Sequence, residues 1–106
     1  MVAVVIACRR HTPYLDDCLA HLARQTYRDF EVIVVSDEPL ALDRPGVRTV
    51  GSGRVLPNRK RQIGAAASAA EIVAFIDDDA FPDPSWLAAA VPHFADPAVV
   101  GAGARR

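Results

Sequence analysis

The chain has 106 residues, 51% of them apolar and 24% charged, a composition that indicates one soluble globular domain over residues 1–106 and excludes a disordered or collagen-like chain. Its formal net charge is −1 with both signs interspersed, so no long-range field recruits nucleic acid or an anionic membrane. The apolar runs at residues 2–8 and 72–76 are far shorter than the roughly 20 residues of a membrane span, so we expect no membrane-spanning segment. Because no basic leader precedes them, we expect no signal peptide and a cytoplasmic location.

The first third of the chain predicts a strand, a helix and a second strand. Residues 2–8 are continuously apolar and rich in β-branched side chains, a pattern typical of a central parallel strand covered on both faces. Thr12 as N-cap and Pro13 at the first helical position predict a helix that ends near Gln25. Residues 30–35 predict the second strand, which ends in a polar loop at 36–39.

The alternation of strand and helix continues in the rest of the chain. Residues 47–50 predict a weaker strand, followed by a turn at 51–53 and by a helix at 59–70 that Pro57 and Asn58 cap. Residues 72–76 are again apolar throughout and lead directly into the acidic triplet, which consists of Asp77, Asp78 and Asp79. A further helix is predicted to start at residues 83–85, and residues 99–102 predict the start of a last strand.

This order of elements predicts an α/β fold, namely a three-layer α/β/α sandwich around a mainly parallel sheet with right-handed crossovers. In such sheets, ligands bind outside the carboxyl ends of the strands. The loops after the strands at 2–8, 30–35 and 72–76 should therefore meet at one crevice. Arg9, Arg10, Asp37 and the acidic triplet would lie there together.

The acidic triplet is the strongest functional signal in the sequence. Adjacent carboxylates repel, so a cluster at the mouth of a buried strand needs a cation or a network of donors. Mg²⁺ is usually held by one or two carboxylates together with substrate phosphates and water. Acidic runs in general are more often solvated loops that cap a following helix, but the position after an apolar strand favours a metal and a diphosphate.

The basic residues and Asp37 allow two interpretations each. Lys60 and Arg61 lie in the first turn of their predicted helix, where positive charge is mildly unfavourable. Either an anionic ligand lies near them or they belong to a solvated basic face, and Arg9 is equally ambiguous. Asp37 either serves a ligand or hydrogen-bonds its own backbone in a turn.

The sequence contains two cysteines, Cys8 and Cys18. Their spacing is not that of a metal site, and each falls on an apolar segment. Buried thiols are therefore favoured over a disulfide. Because a chain of this length buries only about 60 to 65% of its surface, its stability should be modest, and self-association into a homo-oligomer is one way to increase it.

Two long stretches resemble the amino-terminal, nucleotide-binding half of family 2 glycosyltransferases, which have the Rossmann-like GT-A fold. Residues 2–39, VAVVIACRRHTPYLDDCLAHLARQTYRDFEVIVVSDEP, are similar to the family's first strand, its helix with a Gln-Thr-Tyr turn, and its second strand ending in Asp. Residues 58–87, NRKRQIGAAASAAEIVAFIDDDAFPDPSWL, are similar to its Arg-x-x-Gly helix, its acidic metal motif and its Pro-Asp-Pro-x-Trp-Leu segment. Each of these motifs alone is a weak signal, but their order along the chain is specific to the family.

The resemblance implies a nucleotide site. Ala7, Cys8 and Arg9 would line the pocket, Asp37 would accept a hydrogen bond from the base, usually uracil, and Arg61 would face the base or the diphosphate. The chain departs from the family pattern at residues 7–10, where Pro, a small residue, an aromatic and Asn are usual. It departs also at residues 62 and 70, where Asn and Gly are usual. These departures bear on the preference for base and sugar.

For the acidic triplet the resemblance implies a DXD-type metal motif. Asp77 and Asp78 would reach the ribose and the water shell of Mg²⁺ or Mn²⁺, and Asp79 is the first choice for the direct metal ligand, with Asp77 as the second metal residue. The implied reaction transfers a sugar from a nucleoside-diphosphate sugar to a hydroxyl of an acceptor glycan, lipid or protein. The family's acceptor site and its general base are expected beyond residue 106, so a nucleotide-binding or assembly module without catalysis is the alternative. A phospho-acceptor receiver domain is disfavoured, because it needs acidic residues where Arg9 and Arg10 stand.

Overall fold

The computed structural model describes residues 1–94, which form a four-stranded sheet and three helices. No helix within this part combines the length and the apolar character that crossing a membrane requires. The strand predicted at residues 99–102 lies outside the described residues. The elements are β1 (Val2–Ala7), α1 (Pro13–Leu22), β2 (Phe30–Ser36), β3 (Val47–Gly51), α2 (Pro57–Ala66), β4 (Ile72–Asp77) and α3 (Trp86–Phe94).

The sheet has the strand order β3-β2-β1-β4, and every neighbouring pair is parallel. β1 is central, with Val4 in register with Val32 of β2 and Ala74 of β4. Its first five residues are fully buried, which explains why the segment is apolar at consecutive positions rather than at alternate ones. The central parallel strand expected from the sequence is confirmed.

The helices cover both faces of the sheet. Alternate residues of β1, such as Val4, pack with the buried faces of α1 and α3, which include Leu15 and Leu87. The intervening residues, such as Val5, pack with Ile63 of α2. This is the three-layer α/β/α sandwich that the sequence predicted.

α1 begins as expected. The Thr12 side chain accepts a hydrogen bond from the backbone N–H of Leu15 at 3.2 Å, and Pro13 occupies the first turn. The helix ends at Leu22, short of the predicted end near Gln25, and the chain continues in a turn in which Arg24 N–H donates to His21 O.

α2 differs from the prediction at both ends. It begins at Pro57, and its N-cap is Leu56, which makes no side-chain capping bond; Asn58 lies inside the helix, where its side chain accepts from Arg61. Asn58 is therefore not a cap, because Pro57 already holds the first helical position. The helix ends at Ala66 rather than near residue 70, because the Ser68 hydroxyl accepts the N–H of Ala70 and so favours a turn.

The face of α2 that packs against the sheet carries mainly small residues. Ile63, Ala67 and Ala70 pack against the sheet, whereas Ala66 is exposed. Gly64 makes the closest approach and is itself buried. The absence of a side chain at this position allows α2 to contact the sheet directly.

Candidate functional site

An open cleft of about 740 Å³ lies at the carboxyl ends of the strands, a volume within the usual range of small-molecule sites. The loops after β1, β2 and β4 all contribute to it, as the sequence predicted. Six of the residues singled out from the sequence line this cleft, namely Ala7, Cys8, Arg9, Asp37, Lys60 and Asp78.

The strand order explains the position of the cleft. β1 is followed in sequence by β2 on one side, whereas β4 lies on its other side, with Ala7 in register with Asp77. The sheet therefore has its topological switch point between β1 and β4. The loops are also bonded to each other, because Cys8 N–H donates to Val35 O at 3.0 Å and Asp37 N–H donates to Arg9 O at 3.3 Å.

The three carboxylates of the acidic triplet each have a different neighbour or environment. Asp77 ends β4, and its Oδ1 lies 3.8 Å from Arg61 Nη2. Asp78 lines the cleft beside Arg9, and Asp79 has its Oδ1 buried from solvent. The turn that separates them is closed by a hydrogen bond from Ala80 N–H to Asp77 O at 3.1 Å.

Residues 1–94 contain no group of three or more His, Cys, Asp or Glu side chains arranged to hold a metal ion. The triplet thus provides carboxylate oxygens but no closed cage. This donor set fits a hard divalent ion of the Mg²⁺ type, which needs only one or two carboxylates when a diphosphate and water complete its shell. It does not fit a structural metal held by the protein alone.

Asp37 and Lys60 form a close ion pair at the cleft. Lys60 Nζ donates to Asp37 Oδ1 at 2.6 Å, and the Lys60 side chain is 3% exposed whereas that of Asp37 is 22% exposed. The hydrogen bond from Lys60 holds the pKa of Asp37 below its ordinary value, and the charges of Lys60, Arg9 and Arg54 act in the same direction. The anionic partner of Lys60 is thus a carboxylate of the protein itself.

Arg61 lies beside the cleft rather than in its lining. Its Nη1 donates to Asn58 Oδ1 at 2.9 Å, and its Nη2 is the group that approaches Asp77. Its side chain is 36% exposed. Arg61 therefore links the first turn of α2 to the end of β4.

Both cysteines are buried free thiols, as the sequence analysis favoured. Burial, and secondarily the negative charge of Asp78, raises the pKa of Cys8 to about 11. The same causes raise the pKa of Cys18 to about 12, and its Sγ donates to Asp77 O at 3.7 Å. Because the reactive form of cysteine is the thiolate, these thiols are packing groups at neutral pH.

One wall of the cleft was not foreseen. It is formed by the connection from β3 to α2 and the first turn of α2, and consists of Arg54, Val55, Leu56, Pro57, Arg59 and Lys60. Leu56 is 78% exposed and Val55 is 38% exposed. An apolar pair between a glycine turn and a helix start is the sequence signal that could have indicated this wall.

Gln25 joins the two segments that carried the family resemblance. It is 1% exposed, its Nε2 donates to Asp83 O at 2.6 Å, and its Oε1 accepts from Leu87 N–H at 3.0 Å. Next to it, Thr26 N–H donates to Pro84 O at 2.9 Å. The turn after α1 thereby fixes the segment that follows the acidic triplet.

Comparison with known proteins gives the family. The sequence model described as glycosyl transferase family 2 matches residues 3–106. The chain belongs to glycosyl transferase family 2. No curated protein matches the chain.

Solved structures give the fold of this family 2 chain. The mannosyltransferase PcManGT from Pyrobaculum calidifontis, in complex with GDP-Man and Mn²⁺, is 24% identical with a TM-score of 0.77, and the match covers 92% of this chain and 33% of that one. S. aureus TarS 1-349 in complex with UDP-GlcNAc is 22% identical with a TM-score of 0.71, and the match covers 90% and 31%. The GT-A prediction is confirmed. The chain spans about a third of the length of these proteins.

Proposed function

We propose that the chain is the donor-binding part of a metal-dependent glycosyltransferase that binds a nucleoside-diphosphate sugar, with UDP as the nucleotide, for transfer of the sugar to an acceptor hydroxyl. The observation that carries the proposal is the cleft at the switch point of the sheet, which brings Arg9, Asp37 and Asp78 together in a family 2 chain. PcManGT with GDP-Man and TarS with UDP-GlcNAc support the ligand class.

The nucleoside would bind against the ends of β1 and β2. Ala7, Cys8 and Arg9 would contact it from the loop after β1, and Asp37 would accept a hydrogen bond from the base. An ionised carboxylate only accepts hydrogen bonds, and Lys60 keeps Asp37 in that form. This favours a base that presents a ring N–H, as uracil does.

The diphosphate would bind between the acidic triplet and α2. Asp79, with Asp77, would hold Mg²⁺ or Mn²⁺, and Asp78 would reach the ribose. The bound ion would neutralise the charge that develops on the departing nucleoside diphosphate. Arg61, which already approaches Asp77, would face the same phosphates and add positive charge on the side of α2.

A second candidate function is a nucleotide-binding or assembly module without transfer activity. It is favoured by the extent of the structural match, which covers only 33% of PcManGT and 31% of TarS 1-349. Under this alternative the same ligands would bind, but no sugar would be released.

The test is calorimetry with UDP, GDP, CDP and ADP, each with and without Mn²⁺. We expect Mn²⁺ to strengthen the binding of UDP in the wild-type protein and in Asp83→Asn, which removes an exposed carboxylate from the next loop. Asp79→Asn should lose this dependence, and thermal unfolding should show that it is folded. Binding that is equally tight without metal in the wild type would refute the metal role. Release of sugar from UDP-sugars distinguishes the enzyme from the module.

A further inference from the structure

Lys60 is the most completely buried charged side chain that lines the cleft, at 3% exposure. An ammonium group has three N–H donors, and three acceptors surround this one. They are Asp37 Oδ1 at 2.6 Å, Gly53 O at 3.2 Å and Val55 O at 3.4 Å. Because burial of an ammonium is costly unless its donors are satisfied, this arrangement gives Lys60 one defined position.

The three acceptors belong to two different loops. Asp37 follows β2, whereas Gly53 and Val55 follow β3, and Lys60 itself lies in the first turn of α2. The loops are also joined directly, since Gly53 N–H donates to Asp37 O at 2.9 Å and Ser52 N–H donates to Ser36 O at 2.8 Å. The Lys60 side chain therefore connects the loop after β2, the loop after β3 and the first turn of α2.

We propose that Lys60 is a positioning residue that sets base specificity, because it engages Oδ1 of Asp37 and leaves Oδ2 to accept a hydrogen bond from the base. This inference rests on the proposed function. The carboxylate fixed in this way selects bases with a ring N–H donor, such as uracil and guanine, over cytosine and adenine, whose corresponding ring nitrogen is an acceptor.

The enclosure of Lys60 separates this role from phosphate binding. The exposed cations at the same wall are Arg54 and Arg59, and they remain available for the negative charge that every nucleoside diphosphate carries. Loss of a charge at Arg59 should therefore weaken all nucleotides alike. Loss of the ammonium at Lys60 should instead weaken the discrimination between bases, since Lys60 holds the Asp37 carboxylate by a direct hydrogen bond.

The experiment measures Kd for UDP, GDP, CDP and ADP by calorimetry in the wild type, Lys60→Met and Arg59→Met. We expect the wild type to prefer UDP and GDP by roughly tenfold or more, the effect of one charge-assisted hydrogen bond. In Lys60→Met this ratio should fall towards one. Arg59→Met should bind all four more weakly and keep the ratio.

Two further variants test whether Lys60 acts through Asp37. Asp37→Asn alone should reduce the ratio, and Asp37→Asn combined with Lys60→Met should reduce it no further, because both changes remove the same fixed acceptor. Lys60→Gln, which retains amide donors without charge, replaces Lys60→Met if thermal unfolding shows that the methionine variant is not folded.

The outcomes separate this inference from the proposed function. If the wild type binds none of the four nucleotides, the proposed function fails and the role of Lys60 fails with it. If the wild type discriminates between bases and both Lys60 variants keep the ratio, only the role of Lys60 is overturned. Independent effects of the Asp37 and Lys60 changes would overturn it as well.

Discussion

Substitution of Gly64 provides the sharpest test of how closely α2 packs against the sheet. In Gly64→Ala the new Cβ would overlap Val5 Cγ1 and lie 3.0 Å from Val35 Cγ2. Carbon atoms in favourable contact are about 3.5 to 4.0 Å apart. The two valines have little freedom to move, because β-branched side chains are restricted at χ1, so α2 must shift away from the sheet by on the order of 1 Å.

The expected cost follows from two opposing effects. Overpacking costs about 1 to 3 kcal/mol, and the overlap of the new Cβ with Val5 Cγ1 indicates the upper end. Replacing glycine by alanine inside a helix returns up to about 1 kcal/mol. We expect the free energy of unfolding in urea to fall by about 2 kcal/mol, with a decrease in Tm of roughly 4 to 8 °C for each kcal/mol.

Gln62→Ala is the matched control, because residue 62 lies on the same helix and is exposed. It should change the free energy of unfolding by less than about 0.5 kcal/mol. A Gly64→Ala variant as stable as the wild type would show that α2 is not in contact with the sheet at this point. Since α2 also carries Lys60, the destabilised variant should bind nucleotide more weakly.

Two further predictions concern buried polar groups. Gln25→Leu should lower the free energy of unfolding by about 1 to 3 kcal/mol, because Asp83 O and Leu87 N–H lose their partner; urea unfolding measures this, and an unchanged midpoint would contradict it. The thiols of Cys8 and Cys18 should react slowly with iodoacetamide at about pH 8 in the folded protein and rapidly in urea. Since their pKa values rise from 9.0 to about 11 and about 12 on folding, the unfolded chain releases these protons first, and stability should fall as the pH rises above 9. The double variant Cys8→Ala, Cys18→Ala should lose this alkaline dependence, and its persistence would assign the effect to other groups.

The layers of the fold could be predicted because each depends on local pattern. β1 is apolar at consecutive positions, which in a short segment indicates burial on both faces, and it is covered on both faces. Thr12 followed by Pro13 marks the helix start by local chemistry, and the capping bond is formed. The convergence of the loops at one crevice then followed from the rule for parallel sheets.

The ion pair between Asp37 and Lys60 could not be predicted in the same way. Its partners lie 23 residues apart, and lysine is almost never fully buried unless it is paired, so the sequence left open both an exposed basic face and a nearby anionic ligand. The position of Lys60 depends on where α2 begins. Because the helix starts at Pro57 rather than at residue 59, the residues of its first turn face different neighbours from those that the later start would give them.

The individual neighbours of the three carboxylates in the acidic triplet could not be predicted from the sequence. The sequence analysis treated the three adjacent carboxylates together, as a group that needs a cation or a network of donors. Instead, Asp77 is opposed by Arg61, Asp78 lines the cleft and Asp79 has an oxygen buried. Arg61 therefore supplies part of the positive charge that adjacent carboxylates need. Under the proposed function, the diphosphate must provide the remaining ligands, and metal and nucleotide would therefore bind as one unit.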